Sequence, residues 1–184
     1  MGKIAICTTN SGKIREFERM LNVALDPVRL DLDEIQALDT EHVCREKARA
    51  AYLAIMQPVL VDDTGLELSA LGRFPGALIT WALEAGGTSL LHRMLPIGAE
   101  ARAVAVTSVG YADGDGVHVF TGRVEGKVML EARGTNGFGF DEIFVPAGAD
   151  RTCAEMTDVE KDAVSPRRIA LNALREHLEK VLRC

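Results

Sequence analysis

The spacing of apolar residues changes several times along the chain, and each change marks an element. Lys3 to Thr8 (KIAICT) is apolar and β-branched. It predicts a short buried strand that ends in the polar cluster Thr8-Thr9-Asn10-Ser11-Gly12. Ile14, Phe17, Leu21 and Ala24 then recur at helical spacing with Met20 beside them, while Lys13, Arg15, Glu16, Glu18 and Arg19 fill the other faces. A helix therefore follows at once, with Asn10 or Ser11 as its N-cap. Val28 to Leu32 is the next strand candidate and leads into the acidic link Asp31-Leu32-Asp33-Glu34.

His42 to Met56 is rich in Ala and long straight-chain residues and predicts a helix that Pro58 stops. Val59-Leu60-Val61 is a short β run that empties into Asp62-Asp63-Thr64-Gly65. Pro75-Gly76 marks a turn, and two short helices flank the Gly86-Gly87 break. The β-rich segments Ala103 to Ala112 and Val117 to Val128 are joined by Asp113-Gly114-Asp115-Gly116, a strong hairpin signal. Gly134 to Gly139 is a glycine-rich loop before a strand at Ile143-Phe144-Val145. Thr157 with Glu160 forms a capping box for a short helix. Ser165 and Pro166 open the last helix as N-cap and first helical residue, and its apolar stripe is Ile169, Ala170, Ala173, Leu174, Leu178 and Val181. With βα units first, antiparallel strands in the middle and helices last, the order predicts an α/β fold with a mixed sheet flanked by helices.

The 184 residues, 47% of them hydrophobic, suffice for one domain with a sizeable core. The longest stretch without Asp, Glu, Lys or Arg is Ala50 to Val61, short of the roughly 20 residues that cross a bilayer, so no membrane span is expected. No long apolar signal core follows Gly2 and Lys3, and the expected location is the cytoplasm. A net charge of −6 leaves no global basic field for wrapping nucleic acid, although a few converging cations would serve a small polyanion. Cys7, Cys44, Cys153 and Cys184 form no C-x-x-C pair and read as reduced thiols. His42, His92, His118 and His177 are scattered, without metal-ligand spacing.

Three polar segments follow strands. In Thr8 to Lys13 (TTNSGK), hydroxyls, an amide and a glycine at a strand-to-helix turn can surround phosphate oxygens, and Lys13 adds a point charge. The bland reading is a well-capped helix with a solvated lysine. In Asp62-Asp63-Thr64-Gly65, two adjacent carboxylates after a buried run are costly unless solvated, hydrogen-bonded or neutralised. Mg²⁺ or Mn²⁺ is the natural neutraliser, and an Asx-type turn the bland alternative. Alternation along a strand lets only one of Asp62 and Asp63 aim into a given site. Glu34 is a candidate second ligand or a solvated acid. In Gly134 to Asp141 the glycines bracket Phe138 and Phe140, either of which could stack on a base or fill the core. Lys47 stands mid-helix between Arg45 and Arg49, where a solvated face is the alternative. Lys161 and Arg167 flank a helix boundary, where a bound phosphate would offset the unfavourable position of an arginine at a helix start.

Taken in order, TTNSGKIREFERML, LDEIQ, EKARAA, VLVDDTGLELSALGRFPG, GFGFDEIFVP and RTCAEMTDVEKDAVSPRR resemble the non-canonical purine nucleoside triphosphate pyrophosphatases, the inosine/xanthosine triphosphate pyrophosphatase type, over nearly the whole chain. The resemblance implies an elongated mixed α/β fold of two lobes with the nucleotide between them, usually as a homodimer. It implies Mg²⁺-dependent hydrolysis of the α–β phosphoanhydride to a nucleoside monophosphate and pyrophosphate. Carried over by position, Thr8, Thr9, Asn10, Ser11, Gly12 and Lys13 match the triphosphate loop, with Lys13 and Lys47 as phosphate cations. Glu34 and Asp63 match the metal ligands, Asp63 also the general base, and Thr64 a nucleotide contact. Phe138, Gly139, Phe140 and Asp141 match the nucleoside loop, and Lys161 and Arg167 the late base- and phosphate-side contacts.

Three positions depart from the family pattern. Thr9 stands where most members have Gly, Thr80 where the eukaryotic-type members have Lys after the Pro-Gly turn, and Pro166 where the family has His in Ser-His-Arg. Proline donates no hydrogen bond, so base discrimination is expected to be weaker while the fold survives. The alternatives are a nucleotide pyrophosphatase with altered base preference and a nucleotide-binding module that does not hydrolyse.

Overall fold

The computed structural model describes residues 4–181, the side chain of Val181 excepted; Lys3 and Cys184 lie outside this range. One seven-stranded sheet runs in the order β2-β1-β3-β5-β6-β7, with the two-residue β4 paired to the far end of β3. Its strands are β1 (Ile4–Cys7), β2 (Leu25–Val28), β3 (Val59–Leu68), β4 (Pro75–Gly76), β5 (Arg102–Asp113), β6 (Gly116–Val128) and β7 (Phe144–Pro146). β1 pairs parallel with β2 and β3, and every other pairing is antiparallel. The helices are α1 (Ser11–Leu21), α2 (Thr40–Ile55), α3 (Ile79–Met94), α4 (Asp158–Ala163) and α5 (Pro166–Val181).

The local signals are realised where the chemistry is local. The Asn10 side chain caps α1 by accepting from the backbone N–H groups of Gly12 and Lys13, and Thr157 and Glu160 complete their capping box on α4. α3 loses helical geometry at Gly86 and Gly87, where the break is expected. Several expectations are corrected. The second strand lies at Leu25–Val28, not Val28 to Leu32, because its pairing with β1 starts at Ile4↔Leu25; as an edge strand it tolerates Pro27. α1 stops at Leu21, with Asn22 left-handed, so Ala24 is not part of it. β3 does not end at Val61 but continues through Asp62, Asp63, Thr64 and Gly65 to Leu68, paired with β5 throughout, so the aspartates stand on a strand rather than a loop. Pro75-Gly76, expected as a turn, adds a short pairing to β3.

Layering follows from alternation. Ile6, Leu60 and Val109 on one face of the sheet pack against Phe17 and Met20 of α1 and Ala170, Leu171 and Leu174 of α5. Val59, Val61 and Ala112 on the other face pack against Cys44, Ala48 and Ala51 of α2. At the far end, Leu66, Leu68, Ala103, Ala105, Phe140, Ile143 and Phe144 enclose Ile79 and Leu91 of α3. In α5 the stripe is rotated from the expected one: Leu171 is buried and Ile169 is 46% exposed. α5 approaches so closely that a Cβ at Gly122 of β6 would overlap the carbonyl of Pro166. Among the described residues, no helix is long and apolar enough to cross a membrane.

Because the start of α5 carries Arg167, Gly122 governs a contact of both fold and site. The expected result for Gly122→Ala is a loss of about 1–3 kcal/mol in urea unfolding. Gly114→Ala, whose Cβ would meet nothing nearer than Tyr52 Oη at 3.6 Å, is expected to change stability by no more than about 0.5 kcal/mol.

Candidate active site

Alternation on β3 sends its two aspartates to different neighbours. Leu60, Asp62 and Thr64 point to the side of α1 and α5, while Val59, Val61 and Asp63 point to the side of α2. Asp62 is 1% exposed. Its Oδ2 receives Lys13 Nζ at 3.0 Å and Arg167 Nη2 at 3.0 Å. Burial alone would raise this carboxyl, but Lys13 and Arg167 outweigh it and bring it down to about 2.

Arg167 extends the contact into a chain of charges. Its Nη1 ion-pairs with Glu16 Oε2, and its Nη2 also donates to Thr64 Oγ1 at 3.1 Å. Glu16 Oε1 accepts from Lys161 Nζ at 2.8 Å, and Lys161 reaches Asp141 Oδ2 at 2.6 Å. Asp141 in turn accepts the Phe138 N–H at 2.8 Å. The order Lys13–Asp62–Arg167–Glu16–Lys161–Asp141 alternates in sign at every step. Two carboxylates, Glu16 and Asp62, offset the position of Arg167 at the start of α5. Lys13 is likewise paired rather than solvated.

Glu16, expected on a polar face of α1, is buried. The missed signal is its spacing: Gly12, Glu16 and Met20 recur every four residues on the face that the helix buries. A carboxylate inside an apolar stripe requires cationic partners, and Lys161 and Arg167 supply them.

A cavity of about 400 Å³ opens beside this chain, a volume within the range of small-molecule sites. Asn10, Lys13, Thr64, Phe138, Lys161 and Arg167 form its polar side, and Ile79, Leu83, Ala105, Phe140 and Phe144 its apolar wall. Phe138 sits under Lys161 Nζ, 4.9 Å from the ring centroid, and within 6.0 Å of the Arg167 guanidinium. Phe140 instead belongs to the core, edge-on to Phe144 at 6.0 Å between centroids. Gly12 has no room for a side chain, since a Cβ there would lie 2.6 Å from the Phe138 ring. Gly137 and Gly139 have φ of +101° and +65°, which glycine adopts freely, and they turn the loop around Phe138. Ser11 is exposed at the start of α1.

Two smaller cavities lie nearby, and Glu34 lines both of them. One of about 110 Å³ shares Thr80 and Glu84 with the first and is lined by Glu34, Asp63 and Trp81. The other, of about 170 Å³, is lined by Thr8, Thr9, Glu34 and Lys47. Lys47, on α2, faces this cleft and holds Glu34 Oε1 at 2.6 Å. Burial pushes Asp63 up to about 7, with Asp62 and Glu34 adding to the rise and Lys13 and Lys47 opposing it.

Asp63 Oδ2 is buried without a hydrogen-bond partner among the described residues. A desolvated, unpaired carboxylate oxygen on a cavity shared with a second carboxylate fits a hard divalent cation. Among the described residues no three His, Cys, Asp or Glu side chains converge to hold a metal by themselves. Glu34 and Asp63 would therefore supply two ligands, and phosphate oxygens and water the rest, which is how Mg²⁺ is commonly held.

The chain is similar to known proteins over nearly its whole length. The Ham1 family model matches residues 4–177. The inosine triphosphate pyrophosphatase 2 of Trypanosoma cruzi is 41% identical over 95% of this chain and 91% of its own length. The dITP/XTP pyrophosphatase of Thermococcus kodakarensis is 37% identical over 96% of this chain and 100% of its own. The structure of the Staphylococcus aureus Ham1 protein superposes with a TM-score of 0.81 at 30% identity, covering 97% of this chain and 99% of that one.

The buried charge chain makes its own stability prediction. Glu16→Gln leaves Arg167 and Lys161 each with one carboxylate instead of two. The expected cost in urea unfolding is about 2–4 kcal/mol. Glu46→Gln, which removes only the Arg49–Glu46 contact at 3.4 Å, is expected to cost less than about 0.5 kcal/mol.

Proposed function

The chain belongs to the Ham1 family, and from that premise we propose that it hydrolyses deaminated purine nucleoside triphosphates of the ITP, dITP and XTP kind to the monophosphate and pyrophosphate. The observation that carries the reading is the adjacency of two cavities that share Thr80 and Glu84: one holds an aromatic ring flanked by buried cations, the other is lined by the carboxylates Glu34 and Asp63. That layout suits a ligand with a planar base at one end and a polyanion at the other. The nucleotide would lie between two lobes of one domain.

In this reading Phe138 stacks on the base and Thr64 contacts the nucleotide. Lys161 and Arg167 hold the base and phosphate side, and Asp141 fixes the loop that carries Phe138. Thr8 to Lys13 and Lys47 surround the polyphosphate. Mg²⁺, held by Glu34 and Asp63, would offset polyphosphate charge and orient its reacting phosphate. Asp63 takes a proton from the attacking water, whose oxygen bonds to the α-phosphorus as the bond from that phosphorus to the bridging oxygen breaks. Lys13 and Lys47 offset the charge that develops on the departing pyrophosphate. The reading extends to a homodimer in the cytoplasm, checked by a light-scattering mass twice that of the monomer.

A non-hydrolysing binder is disfavoured by Asp63, since a site built only to bind would not need a desolvated carboxylate beside a polyanion. With purified protein, Mg²⁺ and a nucleotide panel, ITP and XTP are expected to yield monophosphate and pyrophosphate at least about tenfold faster than ATP and GTP, a ratio equivalent to about 1.4 kcal/mol. Orthophosphate released from the γ position would refute cleavage at the α–β bond. Asp63→Asn is expected to lower turnover by about 10²–10⁴-fold while circular dichroism stays that of the parent protein.

A further inference from the structure

We propose that Lys47 stands in for the divalent cation in the nucleotide-free protein, so that the metal enters the site together with the polyphosphate and not before it. The proposal rests on the reading of Glu34 and Asp63 as metal ligands and adds an order of binding to it.

Two lysines at the cleft are ion-paired, but their pairs differ. Asp62 is shared between Lys13 and Arg167, each at 3.0 Å, so Lys13 can move to a phosphate and leave Asp62 paired. Glu34 has one cationic partner among the described residues, Lys47 Nζ at 2.6 Å. Glu34 also lies on the segment 29–39, which has neither helix nor strand, whereas Lys47 projects from α2. The carboxylate is thus positioned by the ammonium that covers it. The neighbouring Asp63 Oδ2 has no partner at all among the described residues.

A divalent cation arriving alone would have to displace Lys47 from Glu34. It would then leave that ammonium beside a doubly charged ion, while the other carboxylates that act on it are engaged, Asp62 by Lys13 and Arg167 and Asp63 by the ion itself. A polyphosphate changes the exchange, because Lys47 moves onto a phosphate oxygen as the metal takes Glu34. Thr8 and Thr9 line the same cavity as Lys47 and Glu34, so the anion has a place there. Coupling of this kind is reciprocal: nucleotide strengthens metal binding by the factor with which metal strengthens nucleotide binding.

The test is direct Mn²⁺ binding, followed by the electron paramagnetic resonance signal of free Mn²⁺, with no nucleotide present. Lys47→Met is expected to bind Mn²⁺ about tenfold more tightly than the parent protein, equivalent to about 1.4 kcal/mol. Lys47→Arg, which keeps the charge, is expected to bind as weakly as the parent. Glu34→Gln added to Lys47→Met should abolish the gain. Should Lys47→Met lose its fold by circular dichroism, Lys47→Gln serves in its place. Unchanged affinity in Lys47→Met overturns the proposal; if Mn²⁺ binding with an α,β-methylene purine triphosphate still requires Glu34, the ligand assignment survives it. A gain in Lys47→Met that persists after Glu34→Gln overturns both, because the ion would then sit elsewhere.

Discussion

A guanidinium buried to 4% exposure must be matched by carboxylates, and Arg167 reaches one on each of two elements: Glu16 on α1 and Asp62 on β3. Removing either anion leaves a charge in a medium that solvates it poorly, so the three elements have little freedom to move independently. Lys161 and Asp141 extend the same constraint to α4 and to the loop that carries Phe138. Such a chain contributes little net stability over well-packed apolar residues. What it contributes is position: the aromatic ring, the cations around it and the capped start of α1 are all referred to one buried scaffold. Gly12, flush against Phe138, completes that reference.

The other half of the site is held differently. Asp63 belongs to the same strand as Asp62 but lies on the opposite face, so two consecutive acidic residues do unrelated work. Asp62 is ion-paired through Oδ2 with Lys13 and Arg167, whereas Asp63 makes no ion pair among the described residues and lines the cavity of Glu34. The second carboxylate, Glu34, reaches the same cavity from an irregular segment fastened by Lys47, by Trp81 Nε1 donating to Gln36 at 2.7 Å, and by Ala77 N–H donating to the Leu38 carbonyl at 3.0 Å. The half of the site around Phe138 is thus tied together by several buried ion pairs, and the half around Glu34 by a single one from an irregular segment. In the proposed function, a polyanion would meet cations already charge-balanced by the protein, so its binding would be a trade of partners rather than the filling of an empty basic groove.

What was legible in the residues tracks how local the cause is. The caps at Asn10 and Thr157, the β5–β6 hairpin and the break at Gly86-Gly87 depend on neighbours a few residues apart, and these were readable. The length of β3 was not, because two aspartates, a threonine and a glycine signal a loop, and only pairing with β5, some forty residues on, keeps them in a strand. The position of β2 was missed for the same reason, since its register is set by β1. For the site, the opposition of Asp62 and Asp63 followed from strand alternation alone. Glu16 escaped because its partners lie 145 and 151 residues away. The pairing of Lys47 with Glu34 escaped because no periodicity governs a segment without regular structure.

The three departures from the family pattern fall in places of unequal consequence. Thr9 is exposed and lies in the cavity of Lys47, where a hydroxyl is compatible with a phosphate oxygen. Thr80 lines both the 400 Å³ cavity and the cavity of Glu34 and Asp63, where it offers a hydroxyl in place of an ammonium, and Glu84 on the next turn of α3 lines the same two cavities. Pro166 lines the large cavity without a donor, and the adjacent Ser165 hydroxyl is already engaged as acceptor of the Arg167 N–H at 3.1 Å. If the base stacks on Phe138 as proposed, the ring tolerates any base, because every base presents a π face. Discrimination would then come from polar atoms at the edge of the base, and Pro166 supplies no donor there. Asp63 lies on the other face of β3 from Arg167 and is untouched by that change. In the proposed function, selectivity and chemistry are therefore separable by geometry: a substitution at the start of α5 would alter which base is held, while Asp63 stands on the opposite face of β3 from Asp62 and Arg167.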